Sequence, residues 1–146
     1  MTEALVPVCI PRMVALALLA APATAAAQAT PAAGGPRITE LAGARDRAGL
    51  FTQRLVMPAN FCGPVHTHDR DLHGLVLRGS LRFGTADSLG RIQVREYPAG
   101  SFVPIAAGRK HVEGSVGETE IHLSGIGPLH TTVLDTTRRC EPAGAR

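Results

Sequence analysis

The chain of 146 residues and 15.2 kDa is long enough for one domain and leaves little room for a second. With 45% hydrophobic and 18% charged residues, it is not disordered as a whole. Only the first thirty residues contain a long apolar stretch, which excludes a membrane protein with several spanning helices. Sixteen glycines and eleven prolines favour short strands joined by turns over a helical bundle.

The formal net charge of +3 is spread along the chain and does not form a basic block. Lys110 is the only lysine, so the positive charge is almost entirely arginine. Aromatic side chains, on which bases could stack, are scarce, with no Trp and one Tyr. We therefore expect no nucleic-acid partner.

Residues 1–29 have the three-part composition of a secretory signal peptide. Arg12 precedes a short apolar run, which is followed by a stretch of small residues. Cleavage after Ala27 or after Ala29 would satisfy the preference for small residues at the cleavage site. A membrane anchor is the alternative, although Pro22 interrupts the short apolar run.

Export predicts a periplasmic or secreted protein without stable membrane insertion after cleavage. Removal of 29 residues from 146 would leave 117, divided into a linker over 30–37 and a domain over 38–146. Cys9 would leave with the signal, so Cys62 and Cys140 would remain and could form a disulfide. Two free thiols, or Cys62 beside a metal site, are the alternatives.

Short apolar or alternating runs recur about every ten residues and are separated by turn residues. No segment of the mature chain has a helical period of useful length. The pattern therefore predicts eight or nine strands, a tight turn at Arg78-Gly79, and an all-β antiparallel sandwich or small barrel. The predicted strands cover 49–57, 65–68, 72–77, 80–83, 91–97, 101–105, 110–112, 118–124 and 130–134.

Five of the six histidines lie between residues 66 and 122. His66 and His68 are two residues apart, so on an extended strand both side chains face the same side. Such a pair suits two ligands of one metal ion, but two surface histidines beside a turn would give the same pattern. Gly63 precedes the pair and Gly79 follows it.

A second spaced pattern runs from Gly100 to Ser115. Five residues separate Gly100 from Ala106-Ala107-Gly108, two more precede His111, and three more precede Ser115. Together the two patterns resemble the two motifs of the cupin superfamily, here over residues 63–115. The resemblance is to small exported cupins and implies a double-stranded β-helix, or jelly-roll barrel. It also implies a homodimer. Ala106 replaces the proline of the second motif and Ser115 its asparagine, and the gap after Gly63 is short.

The first motif departs from the cupin pattern at its glutamate. This position falls on Leu72 with the three-residue spacing and on His73 with the four-residue spacing. Two metal-site models follow from the resemblance. His66, His68 and His111 could form a three-histidine site with open positions, or His73 could join as a fourth ligand if a β-bulge shifts the register.

A set of imidazole ligands suits Zn and Fe best, with Ni, Cu or Mn as further candidates. A degenerate cupin that binds no metal is the alternative. Three functions follow: a small-molecule metalloenzyme of the oxygenase, isomerase or hydrolase type, a non-catalytic module that binds metal or a small ligand, and a structural barrel with an idle site.

The remaining polar residues give weaker signals. We expect Glu113 to be a solvated charge, and the alternative is that it assists a ligand or carries a proton. We expect His122 on the outer face of its strand, His130 on the surface, and Asp69 and Asp71 in a loop. No nucleophilic triad or phosphate-binding glycine loop is present, and no catalytic residue is assigned.

Overall fold

The computed structural model describes residues 34–136 and Cys140, which form ten β-strands. No helix long and apolar enough to cross a membrane occurs among the described residues. The predicted signal peptide and residues 30–33 of the predicted linker lie outside them. The strands are β1 (Arg37–Ala42), β2 (Gly49–Met57), β3 (Val65–His68), β4 (Leu72–Arg78), β5 (Ser80–Ala86), β6 (Ile92–Pro98), β7 (Phe102–Ile105), β8 (His111–Ser115), β9 (Thr119–Gly127) and β10 (Thr131–Asp135).

The strands form two antiparallel sheets of five strands each. The first sheet has the order β1-β2-β9-β4-β7, and the second has the order β10-β3-β8-β5-β6. One cluster of buried apolar side chains includes members of both sheets, so the sheets pack face to face. The predicted all-β architecture is confirmed. The cluster contains Phe51, Leu55, Met57, Leu72, Val76, Leu81, Phe83, Val103, Ile105, Ile121 and Leu129.

Strand β2 shows how the residue pattern sets the inner face of a sheet. Phe51, Leu55 and Met57 are buried, whereas Leu50 and Arg54 are exposed. Because successive strand residues point to opposite faces, this spacing directs every second side chain into the core. The register is therefore strongly specified, since a slip of one residue would expose the apolar set.

Most predicted strands are present, and two differences have physical causes. Strand β1 was not predicted because its sequence has no alternation of apolar and polar residues. All six of its residues are exposed, and the strand pairs with β2 at the edge of the first sheet. Strand β9 continues to Gly127, past its predicted end at Ser124. A Cβ atom at Gly125 would lie 2.5 Å from Leu72 Cδ2, so this glycine leaves room for a core side chain.

The turn at Gly79 connects β4 in the first sheet to β5 in the second. Gly79 has a φ of 78°, which L-residues other than glycine rarely adopt. A Cβ atom there would lie 2.4 Å from the Glu118 carbonyl oxygen. The predicted tight turn is confirmed, and both the backbone conformation and the close contact explain the glycine.

Cys62 and Cys140 form a disulfide across a sequence separation of 78 residues, with a Cα–Cα distance of 5.5 Å. Cys140 packs with Val65, Val94 and Val112 in a small apolar cluster. Along their strands, Val65 and Val112 alternate with His66 and His111, whose side chains face the space between the sheets. The valines and their cluster therefore lie on the outer face of the second sheet. The predicted disulfide is present, and Cys62 is not a free thiol beside a metal site.

Replacing both cysteines, Cys62→Ser with Cys140→Ser, should lower the free energy of unfolding by about 4 kcal/mol. The bridge closes a loop of 78 residues, which strongly restricts the unfolded chain. Urea unfolding of the wild type and the double variant measures the difference. A reductant should shift the wild-type midpoint and leave that of the double variant unchanged. Equal midpoints for the two proteins would contradict the prediction.

Candidate metal centre

Three histidines from β3 and β8 point into the interior of the barrel. His66 and His68 lie on β3 and are 5% and 8% exposed, and His111 begins β8 and is fully buried. The strands pair so that His66 lies opposite His111. The i, i+2 spacing of β3 places its two rings on one face, and the pairing of β3 with β8 adds the third ring.

The three imidazole rings form one compact group. One ring nitrogen from each histidine lies within 4.8 Å of the corresponding atoms of the other two, close enough to hold a metal ion. The ring centroids of His66 and His111 are 4.3 Å apart, and His68 is 4.9 Å from His66 and 5.1 Å from His111. The structure therefore brings together the three residues of the three-histidine model.

Hydrogen bonds fix the orientation of each ring. His66 Nδ1 donates to the Pro64 carbonyl oxygen at 2.9 Å, and His111 Nδ1 donates to the Arg109 carbonyl oxygen at 2.8 Å. Because a carbonyl oxygen only accepts, both Nδ1 atoms carry the proton, and the Nε2 lone pair of each neutral ring stays available. His68 Nδ1 is 2.9 Å from Thr131 Oγ1, which leaves its Nε2 available as well.

Burial favours the neutral form of His68 and His111. It lowers the pKa values of His68 and His111 to about 4, and in His68 the neighbouring His66 and His111 lower the pKa further. Among the described residues, nothing forms a hydrogen bond with the buried Nε2 of His111. An unpaired buried polar atom is costly, and a metal ion would satisfy it. The donor set, three imidazoles oriented through their Nδ1 atoms, fits a divalent transition metal.

A cavity of about 180 Å³ extends from the edge formed by β1 and β10 to the imidazole rings of His66 and His68. His66, His68, Gln53 and Glu113 are among its lining residues, and Glu113 is the only carboxylate among the described residues that line it. Burial raises the pKa of Glu113, although His66 opposes the shift. Glu113 therefore lines the cavity beside His66, which corrects the expectation from the sequence that it is a solvated charge.

Comparison with known proteins identifies the family. A family model with the description "Domain of unknown function (DUF4437)" matches residues 22–136. The chain belongs to the DUF4437 family. No curated protein matches the sequence.

Solved structures of oxalate decarboxylases are similar to this DUF4437 chain. A deletion mutant of the Bacillus subtilis enzyme has a TM-score of 0.60 at 19% identity over 68% of the chain. The Lactobacillus farciminis enzyme in a formate complex has a TM-score of 0.55 at 18% identity over 64%. The matched parts are only 28% and 29% of those chains. At this identity the likeness shows the fold alone, and the fold is that of the cupins.

His73 is not part of the histidine group of the DUF4437 domain. Leu72 is fully buried in the core, whereas His73 is exposed on the other face of β4, with its ring 5.5 Å from that of Phe102. The four-histidine model needs a bulge at this point, but β4 pairs with β9 in unbroken register from Leu72 to Val76. The geometry therefore matches the three-histidine model, with leucine at the position of the cupin glutamate.

The other polar residues named in the sequence lie outside the group. His122 is on the outer face of β9, opposite Arg54 and Leu75, as expected. Asp69 Oδ1 accepts the backbone N–H of His130 at 2.8 Å, which lowers the pKa of Asp69. Asp71 Oδ1 accepts the N–H of Ala107 at 2.7 Å, so both aspartates tie loops together.

Two residues at the site had no signal in the sequence. Thr131, which contacts His68, comes from β10, 63 residues further along the chain. Arg45 Nη2 donates to Thr131 Oγ1 at 3.4 Å and also lines the cavity. Only the pairing of β10 with β3 brings Thr131 opposite His68.

Ser115, at the position of the asparagine in the second cupin motif, has a structural role. It is fully buried, its Oγ donates to the Pro58 carbonyl oxygen, and it accepts the N–H of Phe61 at 3.1 Å. These two bonds hold the turn after β2 against the end of β8.

Replacing this serine, Ser115→Ala, should lower the free energy of unfolding by about 2 kcal/mol, because a buried donor and a buried acceptor lose their partner. Chemical denaturation measures the loss. The matched control is Ser124→Ala on β9, where the hydroxyl contacts Thr52 Oγ1 at 3.0 Å and the side chain is partly exposed. An equal or larger loss in the control would contradict the structural role of Ser115.

Proposed function

We propose that this protein is an exported single-domain cupin that holds one divalent transition metal on His66, His68 and His111. The observation that carries the proposal is the orientation of the rings. Each Nδ1 has a hydrogen-bond partner, and the buried Nε2 of His111 has none in the part of the chain that the structure describes. Pre-oriented imidazoles with free lone pairs are what a metal site requires.

The ligand chemistry favours zinc or iron, with nickel, copper or manganese as less favoured ions. Leu72 removes the carboxylate that would help to hold a hard ion, and neutral imidazole suits the later transition metals. Three protein ligands leave coordination positions open for a small molecule. The bound metal would supply Lewis-acid or oxygen chemistry.

The cavity supports a small-molecule metalloenzyme of the oxygenase or isomerase type. Its volume of about 180 Å³ admits a molecule of only a few heavy atoms. In this reading, the Arg45 guanidinium and the Gln53 amide bind and orient the polar groups of the molecule, and Glu113 holds or accepts a proton. The oxalate decarboxylases with the same fold act on a small organic acid, which fits a cavity of this size.

A non-catalytic module that binds metal or a small ligand is the second candidate. The observation that favours it is Leu72, because an apolar core residue at this position supplies neither a ligand nor a proton acceptor. The identity of the bound metal would separate oxygen chemistry from the other roles. Iron would favour oxygen chemistry, and zinc would favour isomerisation, hydrolysis or a structural role.

Removing a ligand, His66→Ala or His111→Ala, should abolish metal binding and leave the fold intact. Elemental analysis of protein purified without a metal-affinity step should give one equivalent of metal per chain for the wild type and below one tenth for each variant. The matched control is His73→Ala, which removes an exposed imidazole and should retain the full equivalent. A full equivalent in either ligand variant would refute the assignment, and a loss in His73→Ala would restore the four-histidine model.

A graded variant separates the loss of a ligand from misfolding. Thr131→Val keeps all three rings and the shape of the side chain, but removes the partner of His68 Nδ1. Metal affinity should fall by about 10- to 100-fold, as is typical when the partner of a ligand is lost. A competition titration with a chelator measures this. Unchanged affinity would mean that the orientation of His68 does not depend on Thr131.

We infer export from the sequence of residues 1–29, and homodimer formation from the resemblance to small exported cupins. We expect the signal to be cleaved after Ala27 or Ala29 and the mature chain to form a homodimer. Intact mass and light scattering of protein recovered from the periplasm test both expectations on one sample. An uncleaved chain would contradict the signal peptide, and a molar mass of one chain would contradict the dimer.

A further inference from the structure

A second cavity lies at the opposite edge of the barrel, between β6 and β7, and has a volume of about 420 Å³. None of the three clustered histidines lines it. Its size falls in the range of small-molecule sites. Its main lining residues are Phe83, Thr85, Gln93, Arg95, Tyr97 and Arg109.

The cavity carries positive charge from two arginine side chains. Arg95 and Arg109 both line it, and neither has an ion-pair partner among the described residues. The one lining carboxylate, Asp87, is already engaged. Its Oδ2 accepts Arg91 Nε at 3.0 Å, and its Oδ1 accepts the backbone N–H groups of Leu89 and Arg91 at 2.9 Å each.

The rest of the lining combines hydrogen-bonding groups with an apolar wall. Gln93, Tyr97 and Thr85 contribute an amide and two hydroxyls, and Phe83 and Val103 contribute apolar surface. The rings of Phe83 and Tyr97 stand edge to face with centroids 6.4 Å apart. Two guanidinium groups beside an apolar wall are suited to an organic anion, since arginine binds carboxylate and phosphate oxygens through paired N–H groups.

We propose that this cavity is a binding site for a small organic anion. The carboxylate or phosphate group of the anion pairs with Arg95 and Arg109, and its apolar part lies against Phe83 and Val103. The site is separate from the candidate metal centre and does not depend on a bound metal. Phe83 forms the wall between them, because its ring also packs against that of His111 at a centroid distance of 5.4 Å.

The chain provides its own probe for this site. Tyr97 is the only tyrosine and there is no tryptophan, so the intrinsic fluorescence reports directly on this cavity. The ligands to titrate are cyclohexanecarboxylate and cyclohexyl phosphate, with uncharged cyclohexanecarboxamide as the matched control. None of them absorbs where tyrosine is excited. We expect saturable changes with at least one anion and at least tenfold weaker binding of the amide. The tighter anion identifies the preferred headgroup.

Variants locate the binding. Arg95→Gln and Arg109→Gln should each weaken binding of the anion about tenfold, the effect of losing one charge-assisted hydrogen bond. Arg82→Gln removes the same charge from the outer face of β5, where Arg82 pairs with Glu96, and should change affinity less than twofold. His66→Ala should bind the anion as the wild type does, which separates this test from that of the metal.

Four outcomes would overturn the proposal. The first is a fluorescence change that does not saturate with either anion. The second is equal affinity for the amide, which would show that the guanidinium groups take no part. The third is an equal loss in Arg82→Gln, which would show that only net charge matters. Loss of binding in His66→Ala would place the anion at the metal centre instead.

Discussion

The pairing of β3 with β8 is the constraint on which the candidate site depends. It sets His66 opposite His111, and the period of two along β3 then adds His68 to the same face. A slip of one residue would turn Val65 and Val112 inward and carry the histidines outward. The apolar cluster on the outer face resists such a slip, because both valines are buried there against Cys140. The disulfide therefore supports the register that forms the site, although it lies on the other side of the sheet.

A close backbone contact reinforces this arrangement at Gly114. A Cβ atom at Gly114 would lie 2.5 Å from the Phe61 carbonyl oxygen and 3.1 Å from Cys140 Sγ. Because Gly114 has no side chain, Cys62 can pair with it through an isolated β-bridge, and Cys140 can pack against the same residue. Strand β8 therefore carries the candidate metal ligand His111 at its first residue. Its fourth residue, Gly114, is in close contact with the segments that the disulfide joins.

Period-two alternation predicted much of the fold and part of the site. It placed β2 and β3 at their observed bounds and gave His66 and His68 a common face. The same argument, applied from His111 to Glu113, would also have placed that carboxylate inside. The spacing of the first motif favoured Leu72 at the glutamate position but left His73 open as a ligand, because only the register of β4 against β9 decides which residue faces inward. Thr131 could not be predicted, since its contact with His68 depends on strand pairing far along the chain.

The structure also gives the dispersed arginines distinct roles that their spacing did not reveal. Arg54 and Arg82 form ion pairs with Glu120 and Glu96 on outer faces, where such pairs contribute little to stability. Arg45 and Arg95 instead line cavities at opposite edges of the barrel. The arginines, whose dispersal along the sequence argued against a nucleic-acid partner, therefore include some that line cavities where a small anionic molecule could be bound.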